Sequence, residues 1–395
     1  IPKCYLVGSL LELGKERNMI PELWFLLFLV IFWIVIYLAG YFFHLDKRGL
    51  EVKPAYFMYK SEKLRRFLDE ASKRRHFFWK TFSNIGIAFA FGLMIFSIYF
   101  LANNLLKFIY PVEVGGAVPV IPVLPVVTIR LYWLPYFFTA IAIVVLTHEF
   151  AHGIIARLEK IPVKSAGILM ALVFFGGFVE PDEEGFEKVS TVSKLRMLGV
   201  GSSTNLITSF LVLLLLTGLY APASGILIYE TTENGPIARA GLQQWDVING
   251  VNETAISTIM DLEEFMENVT PGETLILKTN KGDKLIRTEN GSRGQAVVGL
   301  AYYSEYHPCT LPLEHYLAIH LHMTLFWLHL ISVSVAVFNM LPLYPFDGEK
   351  FLYYSLKKIV KKRHYEARIL FNAICLGLIA INMAMSFIRY GLIRL

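Results

Sequence analysis

Long apolar runs, separated by short polar segments, dominate the chain from residue 20 onward. A helix that crosses a bilayer needs about 20 mainly apolar residues. The stretches that reach this length are 20–43, 83–105, 133–157, 195–220, 314–341 and 367–388. The pattern therefore predicts about six transmembrane helices.

Two further apolar stretches do not fit a spanning helix. Prolines interrupt residues 112–127, so we expect an extracytoplasmic loop or a surface-lying segment there. Residues 166–179 are too few and too rich in glycine to cross alone, which predicts a re-entrant or β-like segment. Irregular backbone of that kind is tolerated at membrane depth only where protein shields its polar groups.

The composition changes between the fourth and fifth spans. Residues 223–303 are polar and rich in turns, with short alternating strands, which predicts a small soluble domain. The expected fold class is a polytopic α-helical membrane protein with an inserted small α/β domain. Its expected parts are N-terminal transmembrane helices and a basic loop at 1–131, a first membrane-core segment at 132–222, the inserted domain at 223–303, and a second core segment with the last helix at 304–395.

Composition and charge support a membrane protein and suggest its orientation. Hydrophobic residues make up 55% of the chain and charged residues 17%, against about 45–50% and about 25% in soluble proteins. Lysine and arginine are concentrated in the loops 44–80 and 350–368, as is typical of cytoplasmic loops. We therefore expect the inserted domain and the N-terminus outside the cytoplasm. Three N-x-S/T sequons in the inserted domain agree with this, at Asn252, Asn268 and Asn290.

Other features of the composition exclude classes of site. The chain has three cysteines and no CxxC pair, so neither a disulfide framework nor a cysteine zinc site is supported. No glycine-rich phosphate motif or nucleic-acid signature is present in the sequence. Met19 is a candidate translation start, and residues 1–18 show no clear signal-peptide pattern.

The motif HEFAH carries the clearest chemistry. His148 and His152 are four residues apart, so on a helix their imidazoles lie on one face and can bind one zinc ion. Glu149 lies between them and is predicted to act as the general base on a zinc-bound water. The motif lies about eight residues, or roughly 12 Å, from the helix end. Ionisable groups are costly at that depth, which favours a functional role over a polar cluster that bonds neighbouring helices.

A catalytic zinc ion usually has three protein ligands and one open position, so a third ligand is expected elsewhere. Asp347 is the best candidate, in the sequence NMLPLYPFDGEK at the end of the fifth span. Pro342 and Pro345 break that helix, so we expect Asp347 on an irregular segment that turns toward the helix bundle. The expected topology places Asp347 on the same cytoplasmic side as the two histidines.

These two motifs together resemble the site-2 protease family of intramembrane zinc metalloproteases. The stretch FGGFVEPDEEGF (175–186) also looks like the segment that follows the zinc helix in archaeal and bacterial members. The resemblance implies one zinc ion per chain, held by His148, His152 and Asp347, with Glu149 as the catalytic residue. It also implies that Asn339 and Asn205 help to hold the substrate. The implied activity is hydrolysis of peptide bonds within or near transmembrane segments of membrane proteins, in regulated intramembrane proteolysis.

The inserted domain has its own resemblance. Residues 234–256 look like the PDZ domains of bacterial-type proteases, which bind an extended peptide or a C-terminal carboxylate at a strand edge. The expected cradle is Gly225, Ile226 and Leu227. An alternative role is a size filter that keeps bulky ectodomains from the active site, and the two roles are compatible.

Other interpretations remain open from the sequence. The stretch 166–179 could offer a strand edge to substrate, or be a plain embedded loop. The chain could be a catalytically silent membrane scaffold that recruits partners through its PDZ-like domain, although every expected zinc-site group is present. A metal transporter would favour an internal repeat, which the sequence lacks. His320, His322 and His329 are interpreted as interfacial or helix-bonding residues. The expected partners are transmembrane protein substrates, a peptide at the PDZ-like domain and the lipid bilayer of the cell membrane, without nucleic acid.

Overall fold

A computed structural model describes residues 20–111, 115–125, 127–360 and 363–391. Met19 lies outside the described residues. The helices are α1 (Ile20–Phe42), α2 (Glu62–Arg74), α3 (His76–Ile109), α4 (Leu134–Leu158), α5 (Glu183–Lys188), α6 (Thr191–Leu219), α7 (Pro236–Arg239), α8 (Ile259–Glu267), α9 (His315–Asn339), α10 (Asp347–Ile359) and α11 (His364–Tyr390). Short 3-10 turns lie at Leu45–Arg48 and Leu131–Trp133.

Within the described part of the chain, six helices are long and apolar enough to cross a membrane: α1, α3, α4 with its preceding turn, α6, α9 and α11. The protein is therefore a polytopic α-helical membrane protein, as expected. Helix α3 has 34 residues, about 50 Å at 1.5 Å per residue, so it is longer than the apolar stretch 83–105 that predicted it. Its flanking segments contain no proline, and it ends one residue before Tyr110–Pro111.

The strands form two main sheets and one short pair. They are β1 (Leu50–Lys53), β2 (Tyr56–Lys60), β3 (Val163–Ala171), β4 (Phe174–Pro181), β5 (Ile226–Thr231), β6 (Val247–Val251), β7 (Thr254–Ala255), β8 (Thr274–Thr279), β9 (Lys284–Arg287), β10 (Glu289–Asn290), β11 (Ala296–Val297) and β12 (Leu300–Glu305).

The first sheet lies next to the helix that carries the HEFAH motif. Its strand order is β1-β2-β3-β4, so β4 is an edge strand. All neighbouring strands in this sheet are antiparallel. The β-like segment expected at 166–179 is thus a β-hairpin, with Ala166 opposite Val179. A Cβ on Gly176 would lie 2.6 Å from Val145 of α4, so the glycine permits this close approach of strand and helix.

The proline-rich segment 115–125 contains no helix, as its prolines predict. Side chains from two helices instead bind its backbone. Asn104 of α3 donates to the Val118 carbonyl oxygen (2.8 Å), and the Val120 amide donates to Ser386 of α11 (2.8 Å). These bonds satisfy polar backbone groups that a helix would otherwise pair internally.

Residues 214–323 form one compact unit, and the described residues of 17–213 and 324–395 form the other. The first unit extends beyond the expected boundaries at 223 and 303 because it includes the ends of α6 and α9. Its sheet has the order β12-β5-β6-β8-β9, with β7 beside β6. Helix α8 begins with a capping box, in which Thr258 and Asp261 each bind the other's backbone amide.

The arrangement of this second sheet contradicts the predicted peptide cradle at Gly225, Ile226 and Leu227. Strand β5 is an interior strand, because Ile226 and Leu227 pair with β12 on one side and with β6 on the other. The Gly225 amide donates to the Ser257 carbonyl oxygen (3.1 Å). A strand that is hydrogen-bonded on both sides offers no edge to a peptide, and the free edges of this sheet belong to β12 and β9.

Candidate metal centre

Helix α4 places the two histidines of HEFAH side by side, as their spacing predicts. Their Nε2 atoms are 3.0 Å apart, and each residue is only 7% exposed. Two imidazoles in an apolar interior are costly unless their nitrogens have polar partners. The polar partners of these ring nitrogens come from α6, from the end of α9 and from the start of α10.

Asp347 brings the third candidate ligand to these nitrogens. Its Oδ2 atom lies 3.2 Å from Nε2 of His148 and 3.1 Å from Nε2 of His152. Asp347 is the first residue of α10, so the expected irregular segment is confined to residues 340–346, between α9 and α10. A Cβ on Gly348 would collide with the carbonyl group of Met340, which explains why only glycine fits after this aspartate. The prediction of a basic loop at 350–368 is wrong, because α10 extends to Ile359 and α11 begins at His364.

The other ring nitrogens bind α6. Nδ1–H of His152 donates to the carbonyl oxygen of Met197 (2.7 Å), which leaves Nε2 free to act as a ligand. Nδ1 of His148 lies 3.0 Å from the amide of Asn205. A histidine that binds metal through Nε2 carries its proton on Nδ1, so the Asn205 oxygen should accept this bond. That orientation also gives a donor to Asn205 Oδ1, which otherwise has none among the described residues.

Asn205 is fully buried. The geometry therefore favours a role for Asn205 in orienting His148 over the expected contact with substrate. Asn339, at the end of α9, is less buried. Its Nδ2 donates to Asp347 Oδ2 (2.7 Å), and its Oδ1 lies 3.5 Å from the Asp347 amide. Asn339 thus holds the carboxylate toward the two imidazoles.

Gly201 of α6 makes room for the centre. A Cβ there would lie 2.5 Å from Nε2 of His152 and 2.6 Å from Nε2 of His148. Ordinary contacts between heavy atoms begin near 3.5 Å. A side chain at residue 201 would therefore occupy the position on which the ligand nitrogens converge.

Glu149 reaches from α4 to the edge strand of the first sheet. Its Oε2 atom accepts a hydrogen bond from the Val179 amide of β4 (3.2 Å). The carboxylate thus binds the backbone of a strand edge, and it belongs to the same helix as the histidine pair.

The donor set fits zinc. In a tetrahedral site with bonds of about 2.0–2.1 Å, the ligand atoms lie about 3.3 Å apart. The three candidate atoms are separated by 3.0, 3.1 and 3.2 Å, close to that spacing. Two nitrogens and one carboxylate oxygen leave a fourth position open, as in catalytic zinc sites. Within the described residues, this is the one group of three or more such side chains close enough to share an ion.

The part of the chain that contains this centre matches the model of a known protein family. The model of Peptidase family M50 matches residues 136–381, a range that includes every residue of this centre. The chain belongs to peptidase family M50. The expectation from the motifs HEFAH and NMLPLYPFDG is thereby confirmed at the level of the family.

The similar proteins do not define an activity. The uncharacterized protein MJ0971 of Methanocaldococcus jannaschii is 28% identical over 217 residues, which is 55% of each chain. The M50 chain thus spans about half the length of the curated relative that it matches. Two solved PDZ domains, from SdrC-like proteins of Listeria innocua and Listeria monocytogenes, are 19% and 18% identical. They cover 21% and 26% of the M50 chain and 96% of their own chains, each with a TM-score of 0.18.

The structure brings together all the residues predicted for the membrane site. It also adds two that sequence reasoning missed, Met197 and Gly201. Met197 acts through its carbonyl oxygen, so its side chain gives no signal. Gly201 could have been noticed, because Gly201 and Asn205 are four residues apart in GVGSSTN and therefore share a helix face.

Proposed function

We propose that this M50 protein is an intramembrane zinc metalloendopeptidase that cleaves within or near transmembrane segments of other membrane proteins. The observation that carries the proposal is the convergence of His148, His152 and Asp347, with Glu149 next to His148 in the chain, among described residues that include six membrane-length helices. Membership of a peptidase family and a donor set that fits zinc support it further.

Bound zinc would supply Lewis acidity and lower the pKa of a coordinated water to about 7. His148, His152 and Asp347 would hold the ion, and Asn205, Met197 and Asn339 would keep these ligands oriented. Glu149 would accept the proton of the attacking water at a carboxylate oxygen and deliver it to the leaving amine. Burial of the histidine pair would exclude bulk water from the centre.

Strand β4 would hold the substrate backbone. A peptide bond within a helix is already hydrogen-bonded, so the substrate must unwind locally before it can be attacked. An unwound segment could pair with the edge of β4, where the Val179 amide now binds Glu149. Release of that amide to a substrate carbonyl group would free Glu149 for proton transfer at the same step.

We infer the orientation and the remaining partners from charge and sheet order. The basic segments 44–80 and 350–368 favour a cytoplasmic position for the end of α4 that carries the centre, and an extracytoplasmic position for the inserted domain in the cell membrane. A peptide partner of the inserted domain would pair with the free edge of β12 and not with β5. The bilayer itself covers the apolar faces of the helices.

The test compares wild type with Glu149→Gln in cleavage of a detergent-solubilised single-span substrate. We expect cleavage by wild type, no cleavage by Glu149→Gln or by chelated wild type, and equal zinc content in the two unchelated proteins. Equal cleavage by the variant would refute the role of Glu149. Zinc without cleavage of any substrate would favour the catalytically silent scaffold.

A further inference from the structure

Four residues of α6, spaced four apart, face the helix that carries HEFAH. Ser193 binds Glu159, Met197 binds His152 and Asn205 binds His148, whereas a Cβ on Gly201 would collide with both imidazoles. Residues four apart form a continuous ridge on a helix. We call these contacts the α4–α6 seam. The seam contains both hydrogen bonds that α6 makes to the imidazole Nδ1 atoms.

Glu159 directly follows α4 and lies at one end of the α4–α6 seam. Its side chain is 5% exposed and is bound by three groups: Lys80 at 2.6 Å, Arg196 at 3.1 Å and the Ser193 hydroxyl at 2.6 Å. Burial alone would raise the pKa of Glu159, but the bonds from Lys80 and Ser193 and the charge of Arg196 lower it. Glu159 is therefore a paired, ionised carboxylate.

The contacts of Glu159 join three helices close to the zinc ligands. Lys80 belongs to α3, whereas Ser193 and Arg196 belong to α6. Arg196 also donates to Asn84 of α3 (2.8 Å). It immediately precedes Met197, whose carbonyl oxygen accepts the bond from His152. Any axial slide of α4 along α6 would therefore change the Glu159 contacts and the Met197 contact together.

We propose that Glu159 is a positioning residue, which fixes the axial register of α4 against α6 so that Met197 and Asn205 hold the two imidazoles in their ligand orientation. This inference rests on the proposed zinc centre. Glu159 acts on His152 over seven helical residues, about 10 Å. The tight contact at Gly201 leaves little room for an alternative register, because a shift would bring α6 backbone against the ligand rings.

The experiment compares Glu159→Gln with a matched control at the same end of α4. Asp69 of α2 forms an ion pair with Arg157 (2.8 Å), two residues before Glu159, but makes no contribution to the α4–α6 seam. Asp69→Asn therefore removes an ion pair from this end of α4 and leaves its register on α6 unchanged. Zinc affinity is measured on the full chain by competition with a chromogenic chelator, and the absorption spectrum of the Co²⁺-substituted protein reports ligand geometry.

We expect Glu159→Gln to lower zinc affinity about tenfold or more and to alter the Co²⁺ spectrum, as changes in the partners of metal-bound histidines do. Asp69→Asn should leave zinc affinity within about twofold of wild type and the Co²⁺ spectrum unchanged, even if it lowers the melting temperature. Because the probe is the metal alone, a chain that binds zinc but cleaves nothing still tests this inference. A wild type without zinc affinity would instead overturn the proposed function.

Ser193→Ala provides a second variant in case Glu159→Gln fails to fold. It removes one hydroxyl from Glu159 and leaves every charge in place. The loss of this bond should reduce zinc affinity about threefold. If folded Glu159→Gln and Ser193→Ala both match wild type in zinc affinity and Co²⁺ spectrum, Glu159 serves only general stability and the inference is wrong.

Discussion

Gly201→Ala perturbs the centre without removing any ligand. The added Cβ would lie 2.5 Å from both Nε2 of His152 and Cε1 of His148, about 1 Å inside normal contact. Neither ring can move freely, because each is held by a hydrogen bond from its other nitrogen to α6. Overpacking of a closely packed site typically costs about 1–3 kcal/mol. If that cost falls on the metal-bound geometry, zinc affinity decreases about 5- to 150-fold, since about 1.4 kcal/mol is a factor of ten.

The assay for Gly201→Ala is chelator competition on the full chain, with Gly218→Ala as control. Gly218 lies on the same helix, and a Cβ there meets no atom of the described residues within 4 Å. We expect Gly218→Ala to bind zinc as wild type does and to be slightly more stable, because alanine is favoured over glycine in helices. Wild-type zinc affinity in Gly201→Ala would refute the reasoning that this position adjoins the ion.

Three further predictions follow from individual contacts. Asn205→Ala should reduce zinc affinity about 10- to 100-fold, because Nδ1 of His148 loses its partner; unchanged affinity in chelator competition would contradict the orienting role. Gly176→Ala should reduce cleavage while zinc content stays at the wild-type level, because its Cβ would press Val145 and move the edge of β4 from α4; equal cleavage rates would argue against pairing of substrate with β4. Bonds from the Ser257 and Thr258 amides lower the pKa of Asp261, so its stabilising effect is present above its ordinary pKa of about 3.9 and is lost as pH falls through the lowered value. Hydrogen exchange at α8 should therefore be faster in Asp261→Asn than in wild type at pH 7, and the two proteins should converge in acid; a constant difference at all pH values would contradict this.

The sequence is sufficient to predict which three side chains converge in the candidate metal centre. His148 and His152 share a helix face by geometry, and Asp347 was the best candidate at the end of a span on the same side. The apolar stretches predict each of the six membrane-length helices found in the described part of the chain, with errors mainly at the helix ends. Helix α3 continues beyond the apolar segment 83–105 because residues 76–82 and 106–109 contain no proline or glycine that would break a helix.

Long-range pairing was not predictable in the same way. The peptide cradle at Gly225 was wrong because the position of β5 depends on β12, which follows it by about 70 residues and covers its free edge. The sequence singles out Asn205, but spacing alone does not tell whether its amide faces a substrate or a ligand ring. Glu159 follows the HEFAH helix in the sequence, yet only packing reveals that Lys80, Ser193 and Arg196 meet there.

The most direct test of the central claim is the zinc content of freshly purified wild type, measured by mass spectrometry beside Asp347→Ala. Removal of one of three ligands should abolish tight binding while the histidine pair remains. The account predicts close to one zinc ion per wild-type chain and almost none in Asp347→Ala. A folded wild type without zinc that also takes up none from solution, or an Asp347→Ala variant that retains one zinc ion per chain, would contradict it.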